Sequence, residues 1–193
     1  MLHHLAKYTV VLASQSPRRQ SLLRGIDIPF EVKVLPDVDE TFPEHLKGGE
    51  ISLYLAKKKG DAYQSFLNEK TILITADTIV WLDHHVLGKP LDEEDARNML
   101  SQLSGKTHQV FTGVSVRSQD KQVDFVAESE VSIAKLTDEE IQYYVSTYRP
   151  MDKAGAYGVQ EWIGYIAVES IHGSFYNVMG LPIHQLYEVL KNW

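Results

Sequence analysis

Residues 71–81, Thr-Ile-Leu-Ile-Thr-Ala-Asp-Thr-Ile-Val-Trp, form a near-continuous apolar run with a single carboxylate, Asp77, set inside it. Such a run reads as a buried strand, because a strand covered on its faces needs no polar side. Strand and helix signals alternate around it. Residues 8–13 make an apolar strand that ends at a serine-rich turn. Pro17 then stands where a first helical residue belongs, with Ser16 as a natural N-cap, and the helix reaches about Arg24. Residues 30–34 alternate apolar and polar, as a half-buried strand does. A polar loop over 37–49 precedes an amphipathic helix over 50–67, with Leu53, Ala56 and Lys59 or Gly60 on neighbouring turns.

Further along, residues 92–103 predict a helix opened by acidic residues, with Met99, Leu100 and Leu103 inward. Residues 110–117 and 123–134 predict paired antiparallel strands around Ser118-Gln119-Asp120. Thr137-Asp138-Glu139-Glu140 is a capping-box start for a helix to about Tyr148. Residues 162–171 read as a strand and 182–190 as a last helix. This is a mixed α/β pattern without internal repeat, low-complexity segment or linker.

A chain of 193 residues buries enough surface for one substantial core. No apolar run is long enough to cross a bilayer, and no cleavable signal peptide is expected. Cysteine is absent, which removes disulfides, thiol catalysis and cysteine-bound zinc and suits the cytoplasm. A net charge of −7 argues against broad nucleic-acid or membrane binding. It says nothing against a small anionic substrate, which needs only a local cluster of positive charge. The eight histidines carry no metal-binding spacing, and there is no Gly-x-Ser-x-Gly nucleophile elbow.

Several positions admit chemistry. A helix N-terminus has unpaired N–H groups and partial positive charge, so the turn from Ser14 to Ser16 suits an anion. Arg18 and Arg19 add forked donors fitted to phosphate oxygens. It is not a P-loop, because the glycines and the Gly-Lys-Ser/Thr ending are missing. The same residues also describe a capped helix with its arginines in solvent. Asp77 must be hydrogen-bonded, paired or metal-bound to sit in an apolar strand; it either does chemistry or holds a neighbouring turn. Asp39 and Glu40 on their loop, the run Lys57-Lys58-Lys59, and Lys89 in its Gly88-Lys89-Pro90 turn all have a solvated surface as their plain reading.

Together these segments resemble one family. Ser14-Gln15-Ser16-Pro17-Arg18-Arg19 is similar to the opening signature of the Maf family of nucleoside triphosphate pyrophosphatases. Val38-Asp39-Glu40, Thr75-Ala76-Asp77-Thr78-Ile79-Val80, Gly88-Lys89-Pro90 and Asp152-Lys153-Ala154-Gly155-Ala156-Tyr157-Gly158-Val159-Gln160 follow in the family's order. Gly173-Ser174 and Asn177-Val178-Met179-Gly180-Leu181-Pro182 close it. The chain departs from the pattern at Gly60, where alanine is more usual, and at Glu161-Trp162, where glycine often follows Gln160.

The resemblance implies an α/β fold with an elongated, two-lobed mixed sheet flanked by helices, similar to inosine triphosphatases. It implies one Maf-like domain over residues 1–193, with two lobes about a central cleft. It also implies hydrolysis of a nucleoside triphosphate to the monophosphate and pyrophosphate. By resemblance, Asp77 is the general base or a metal ligand, and Glu40 a ligand of a divalent cation, Mg²⁺ or Mn²⁺, or a water-positioning residue. Ser14, Ser16, Arg18 and the helix N-terminus grip phosphates; Arg19, also a substrate-binding residue, neutralises the leaving pyrophosphate with Lys59 and Lys89; Gln160 contacts substrate or the active site, and Lys153 supports phosphate or Asp. The 155–160 segment resembles the branch acting on dTTP and UTP. The alternatives are a 7-methyl-GTP or inosine-type pyrophosphatase and a non-enzymatic regulator of septum formation. A homodimer is plausible by the same resemblance.

Overall fold

The computed structural model describes residues 2–36 and 38–193; Asp37, the first residue of the expected 37–49 loop, lies outside the described residues. Seven strands form one mixed sheet in the order β2-β1-β3-β5-β6-β7, with β4 paired to β3. These are β1 (Thr9–Leu12), β2 (Glu31–Val32), β3 (Thr71–Leu82), β4 (His85–Leu87), β5 (Thr107–Arg117), β6 (Gln122–Ile133) and β7 (Val168–Gly173). The chain divides into two compact units. One takes residues 1–77, 112–127 and 180–193; the other takes 78–111 and 128–179.

In the first unit β1 runs parallel to both β2 and β3, with Leu12 opposite Ile74. Side chains alternate across β3. Ile72, Ile74 and Ala76 join a core with Leu12, Leu23, Leu186 and Leu190, drawn from β1, α1 (Pro17–Arg24) and α7 (Ile183–Lys191). Leu73 points the other way, to Val11 and Tyr63. Both faces are covered, which is why the run could be apolar throughout. On Leu73's face, α2 (Gly49–Asp61) lays a stripe of small residues, Ser52, Ala56 and Gly60, against the sheet. A Cβ on Gly113 of β5 would collide with the backbone of Ser52 and Leu53, so helix and strand approach as closely as glycine allows.

In the second unit a larger core collects Val80 and Leu82 of β3, Leu87, Val110, Val131 and Ile133 with three helices. These are α3 (Glu93–Leu103), α4 (Asp138–Tyr148) and α5 (Trp162–Ala167). Asp92 caps α3 through Asp95 N, and Thr137 and Glu140 form the expected capping box on α4. The β3–β4 turn places Asp83 and His84 at φ 48° and 69°, the positive values a tight hairpin demands at both central positions.

Four expectations change. Residues 30–34 shrink to the two-residue β2, and Val32 and Val34 are exposed rather than half-buried. Among the described residues it pairs only with β1, so that strand is an edge. The helix over 50–67 stops at Asp61, followed by a 3₁₀ turn at Gln64–Phe66. Leu53 is only half-buried, because the buried stripe is Ser52, Ala56 and Gly60 instead. Residues 162–171 are half helix and half strand: α5 ends at Ala167, whose carbonyl accepts from Ala134 N, and β7 begins at once. A short apolar run does not distinguish these states. The last of the helices not yet placed, α6 (Phe175–Val178), is a single turn capped by Ser174. No helix among the described residues is long and apolar enough to cross a membrane.

Candidate active site

Alternation along β3 decides where Asp77 points. Residues 73, 75 and 77 share the face that α2 covers. Thr75 Oγ1 donates to Ala56 O at 2.7 Å, pinning strand to helix. Nearly one helical turn further along α2, Lys59 reaches Asp77: Nζ lies 2.6 Å from Asp77 Oδ1 and 2.8 Å from Glu40 Oε1. Asp77 is 8% exposed, whereas half of the Glu40 side chain remains in solvent. The buried acid therefore has its partner, and the partner is shared with a second acid at the surface.

Glu40 is held there by its neighbours. The Asp39 carboxylate accepts from Thr41 N and Thr41 Oγ1, closing a turn around Glu40. Lys58 Nζ bonds Asp39 at 2.7 Å and Thr41 O at 2.9 Å. These bonds hold the Asp39 carboxyl far below the usual carboxylate range, the Lys58 bond contributing most. Lys57 pairs with Asp124 at 3.3 Å. The plain reading of the lysine run as a solvated face holds for Lys57, which stays exposed, and fails for Lys59; all three pair with a carboxylate.

The serine-rich turn folds over the same part of β3. Ser14 is buried, and its Oγ accepts from Ser16 N at 3.2 Å. Ser16 caps α1 through Arg19 N. Arg19 then reaches from the first turn of α1 to two carbonyls, donating from Nε to Gly180 O at 2.7 Å and from Nη1 to Ala76 O at 2.8 Å. The arginine side chains of this turn do not both simply face solvent: Arg19 ties α1 to the residue before Asp77 and to the 180 turn. Burial lowers its pKa, opposed by the Asp77 charge and reinforced by Arg18. Arg18 lies beside it, half-buried. Ser14, Ser16, Arg18, Arg19, Glu40, Lys59 and Asp77 all belong to the first unit.

Lys89, Lys153 and Gln160 belong to the second unit. The 88–90 and 152–160 motifs meet where Gly155 N donates to Gly88 O at 3.0 Å. Gly155 has φ 67°, and a Cβ there would press on Val80 Cγ2 at 3.0 Å, so the turn requires glycine twice over. Lys89 is exposed beside this junction. Lys153 is buried, with Nζ 2.7 Å from Asp152 Oδ1 and 3.1 Å from Glu161 Oε1. Glu161 also accepts from the hydroxyl of Tyr144, which in turn accepts from Gly158 N. Burial and the Glu161 charge push the Tyr144 hydroxyl well above its ordinary pKa. A Cβ on Gly158 would strike Glu161 Cδ at 2.8 Å, so that glycine makes the room Glu161 occupies. The departure at Glu161-Trp162 is therefore internally satisfied: the acid turns into this network, and Trp162 stacks edge-on against Tyr143 at 4.9 Å. Gln160 Oε1 is buried and has no hydrogen-bond partner among the described residues.

Sequence reading missed His108 of β5, buried at 2% exposure and bonded through Nε2 to the Tyr157 hydroxyl at 2.7 Å. Burial lowers its pKa to about 4. It also missed Arg117, whose buried guanidinium lies against Gly60. Neither belongs to a motif, and only the fold brings each to its partner.

A cation site is testable on the donor set. Among the described residues no group of three or more His, Cys, Asp or Glu side chains could hold a metal ion. Asp77 and Glu40 nevertheless aim carboxylate oxygens at one positive centre, the Lys59 ammonium. Two carboxylates completed by substrate phosphates is a donor set that suits Mg²⁺. The residues fit.

A family model described as "Maf-like protein" matches residues 9–193. A dTTP/UTP pyrophosphatase of Phocaeicola vulgatus is 56% identical over 191 residues, covering 99% of this chain and 99% of that protein. One of Bacteroides thetaiotaomicron is 58% identical over 191 residues with the same coverage. A solved HAM1 protein from Coxiella burnetii, 18% identical, covers 96% of this chain and all of that one with a TM-score of 0.52, a likeness of fold.

Proposed function

The chain belongs to the Maf family, and on that premise we propose that it is a nucleoside triphosphate pyrophosphatase, hydrolysing dTTP and UTP to the monophosphate and pyrophosphate. One observation carries the reading beyond the names of relatives. The only acid in an apolar strand is paired to a lysine that also holds a second acid, beneath a helix N-terminus tied down by an arginine.

In this reading the open end of α1, with Ser14, Ser16 and Arg18, binds phosphate oxygens through N–H and guanidinium donors. Arg19 fixes that helix end relative to Asp77, since its Nε and Nη1 already bond carbonyls. Asp77 accepts the proton of the water that attacks the α-phosphorus. The bond to the α–β bridging oxygen breaks, and charge gathers on the departing pyrophosphate. Lys59 pairs with the Asp77 carboxylate before attack and meets the charge of the leaving group as it develops. Asp77 and Glu40 would hold a divalent cation, which would supply charge neutralisation on phosphate oxygens. Lys89 as a phosphate contact, Gln160 as a substrate contact, a cytoplasmic location and a homodimer complete the proposal. Lys153, engaged by Asp152 and Glu161, orders its loop in this account rather than meeting phosphate.

The test is product analysis of the purified protein with dTTP, UTP, CTP, 7-methyl-GTP and ITP, with Mg²⁺, Mn²⁺ or chelator. Pyrophosphate release fastest from dTTP or UTP, lost in Asp77→Asn, is the expected result. Turnover of only 7-methyl-GTP or ITP would overturn the substrate, and no turnover of any nucleotide would overturn the activity.

A further inference from the structure

Lys59 sits in the last turn of α2, the end of a helix most prone to fray. A residue far along the chain secures it. Arg117, at the end of β5, is 4% exposed, and all its named contacts converge on this turn or beside it. Nε donates to Ser115 Oγ at 2.8 Å, Nη2 to Lys57 O at 2.8 Å, and Nη1 pairs with Asp61. The guanidinium plane lies on Gly60: a Cβ there would come within 2.7 Å of both Cζ and Nε. Two bonds thus bracket Lys59 in sequence, at residues 57 and 61, with the bare glycine at 60 between them. A cation here also complements the helix C-terminal dipole.

We infer that Arg117 is a positioning residue for Lys59, and that Gly60 is the gap through which it acts. The bonds of the guanidinium named above go to Ser115, Lys57 and Asp61 rather than to Asp77 or Glu40; it sets the orientation of the turn from which Lys59 reaches both. A displacement of that turn by an ångström is enough to break the hydrogen bond that Lys59 makes to Asp77 at 2.6 Å. The consequence for turnover rests on the activity proposed above, but the positioning itself does not.

The experiment therefore has two readouts. Arg117→Lys keeps the charge and loses the fork; Gly60→Ala pushes the fork aside; the double variant replaces a flat guanidinium with a slimmer chain beside the new methyl. On dTTP, each single variant is expected to lose about tenfold or more in kcat with KM within about twofold. The double variant should lose less than the product of the singles. Independently of turnover, acylation of Lys59 by an amine reagent, followed by mass spectrometry, should rise several-fold in both single variants relative to the lysines of the second unit. Variants that melt earlier yet keep both kcat and Lys59 protection at wild-type values would reduce Arg117 to a structural residue and overturn the inference. If the wild type turned over no nucleotide, the acylation ratio alone would decide it, and the failure would belong to the proposed activity.

Discussion

The ammonium of Lys59 lies 2.6 Å from the Asp77 carboxylate, so a helix residue 18 positions earlier in the chain neutralises the one acid of strand β3. That pair, with Glu40 on its far side, is an ion triad at the edge of burial: Asp77 is inside, Glu40 is half in solvent. Burying two charges without solvent is costly unless each is matched, and a third, exposed partner lowers that cost while leaving the assembly open to a ligand.

Asp77→Asn should remove the proton acceptor while keeping the shape of the site. A loss of about 10²–10⁴-fold in kcat is expected, with KM changed far less. Steady-state kinetics on dTTP checks it; an equal rise in KM would assign Asp77 to substrate binding instead.

Glu40→Gln should act on the cation rather than on the fold. Its side chain is half exposed, so the melting temperature should move little. The Mg²⁺ concentration giving half-maximal rate should rise, about tenfold. Metal titrations of rate in wild type and variant measure it, and an unchanged midpoint would remove Glu40 from the cation site.

Tyr144→Phe should be destabilising out of proportion to one oxygen atom. The hydroxyl donates to Glu161 and accepts from the buried Gly158 N–H; its loss orphans that N–H and takes one bond from Glu161, which keeps Lys153. The cost is expected to be about 1–3 kcal/mol by urea unfolding. A variant as stable as wild type would mean that water replaces the hydroxyl.

His108 makes a pH prediction. Its folded pKa is about 4 against an ordinary 6.5, because burial disfavours the imidazolium. The unfolded chain therefore binds this proton first as pH falls. Stability from the neutral ring is fully present above about 6.5, declines between 6.5 and 4, and levels off below. The difference is on the order of 3 kcal/mol, one proton over that interval. Urea midpoints of wild type and His108→Gln between pH 7 and 4 should converge as pH falls; parallel curves would show that the ring titrates normally.

Much of the fold was legible. The apolar run at 71–81 became β3, Pro17 and Ser16 opened α1 where expected, and Thr137 with Glu140 capped α4. These signals are local: a cap or a ring-locked φ acts within one turn, and a doubly buried strand cannot carry a polar face. What failed was equally physical. Residues 30–34 alternate correctly, yet the strand lies at the sheet edge and stays exposed. Residues 162–171 hold helix and strand end to end, and the switch at Ala167 is imposed by its bond from Ala134.

The candidate site divides the same way. Asp77 declared itself by being an acid where acids are costly, and Ser16 with Arg18 and Arg19 by standing at a helix entrance. Composition could not say that Lys59, among three consecutive lysines, is the one that reaches Asp77; that follows from the register Thr75 sets against Ala56. Nor could it say that Arg19 would bond carbonyls, that Glu161 would turn inward to Lys153, or that Arg117 would lie across Gly60. The sequence by itself determined the elements, their caps and the residue types able to handle a phosphate, because those depend on neighbours along the chain. Which charge meets which was decided only by tertiary structure, because an ion pair depends on where a helix lies on a sheet, and that is set by small residues such as Gly113 and Gly60 whose contacts are far away in sequence.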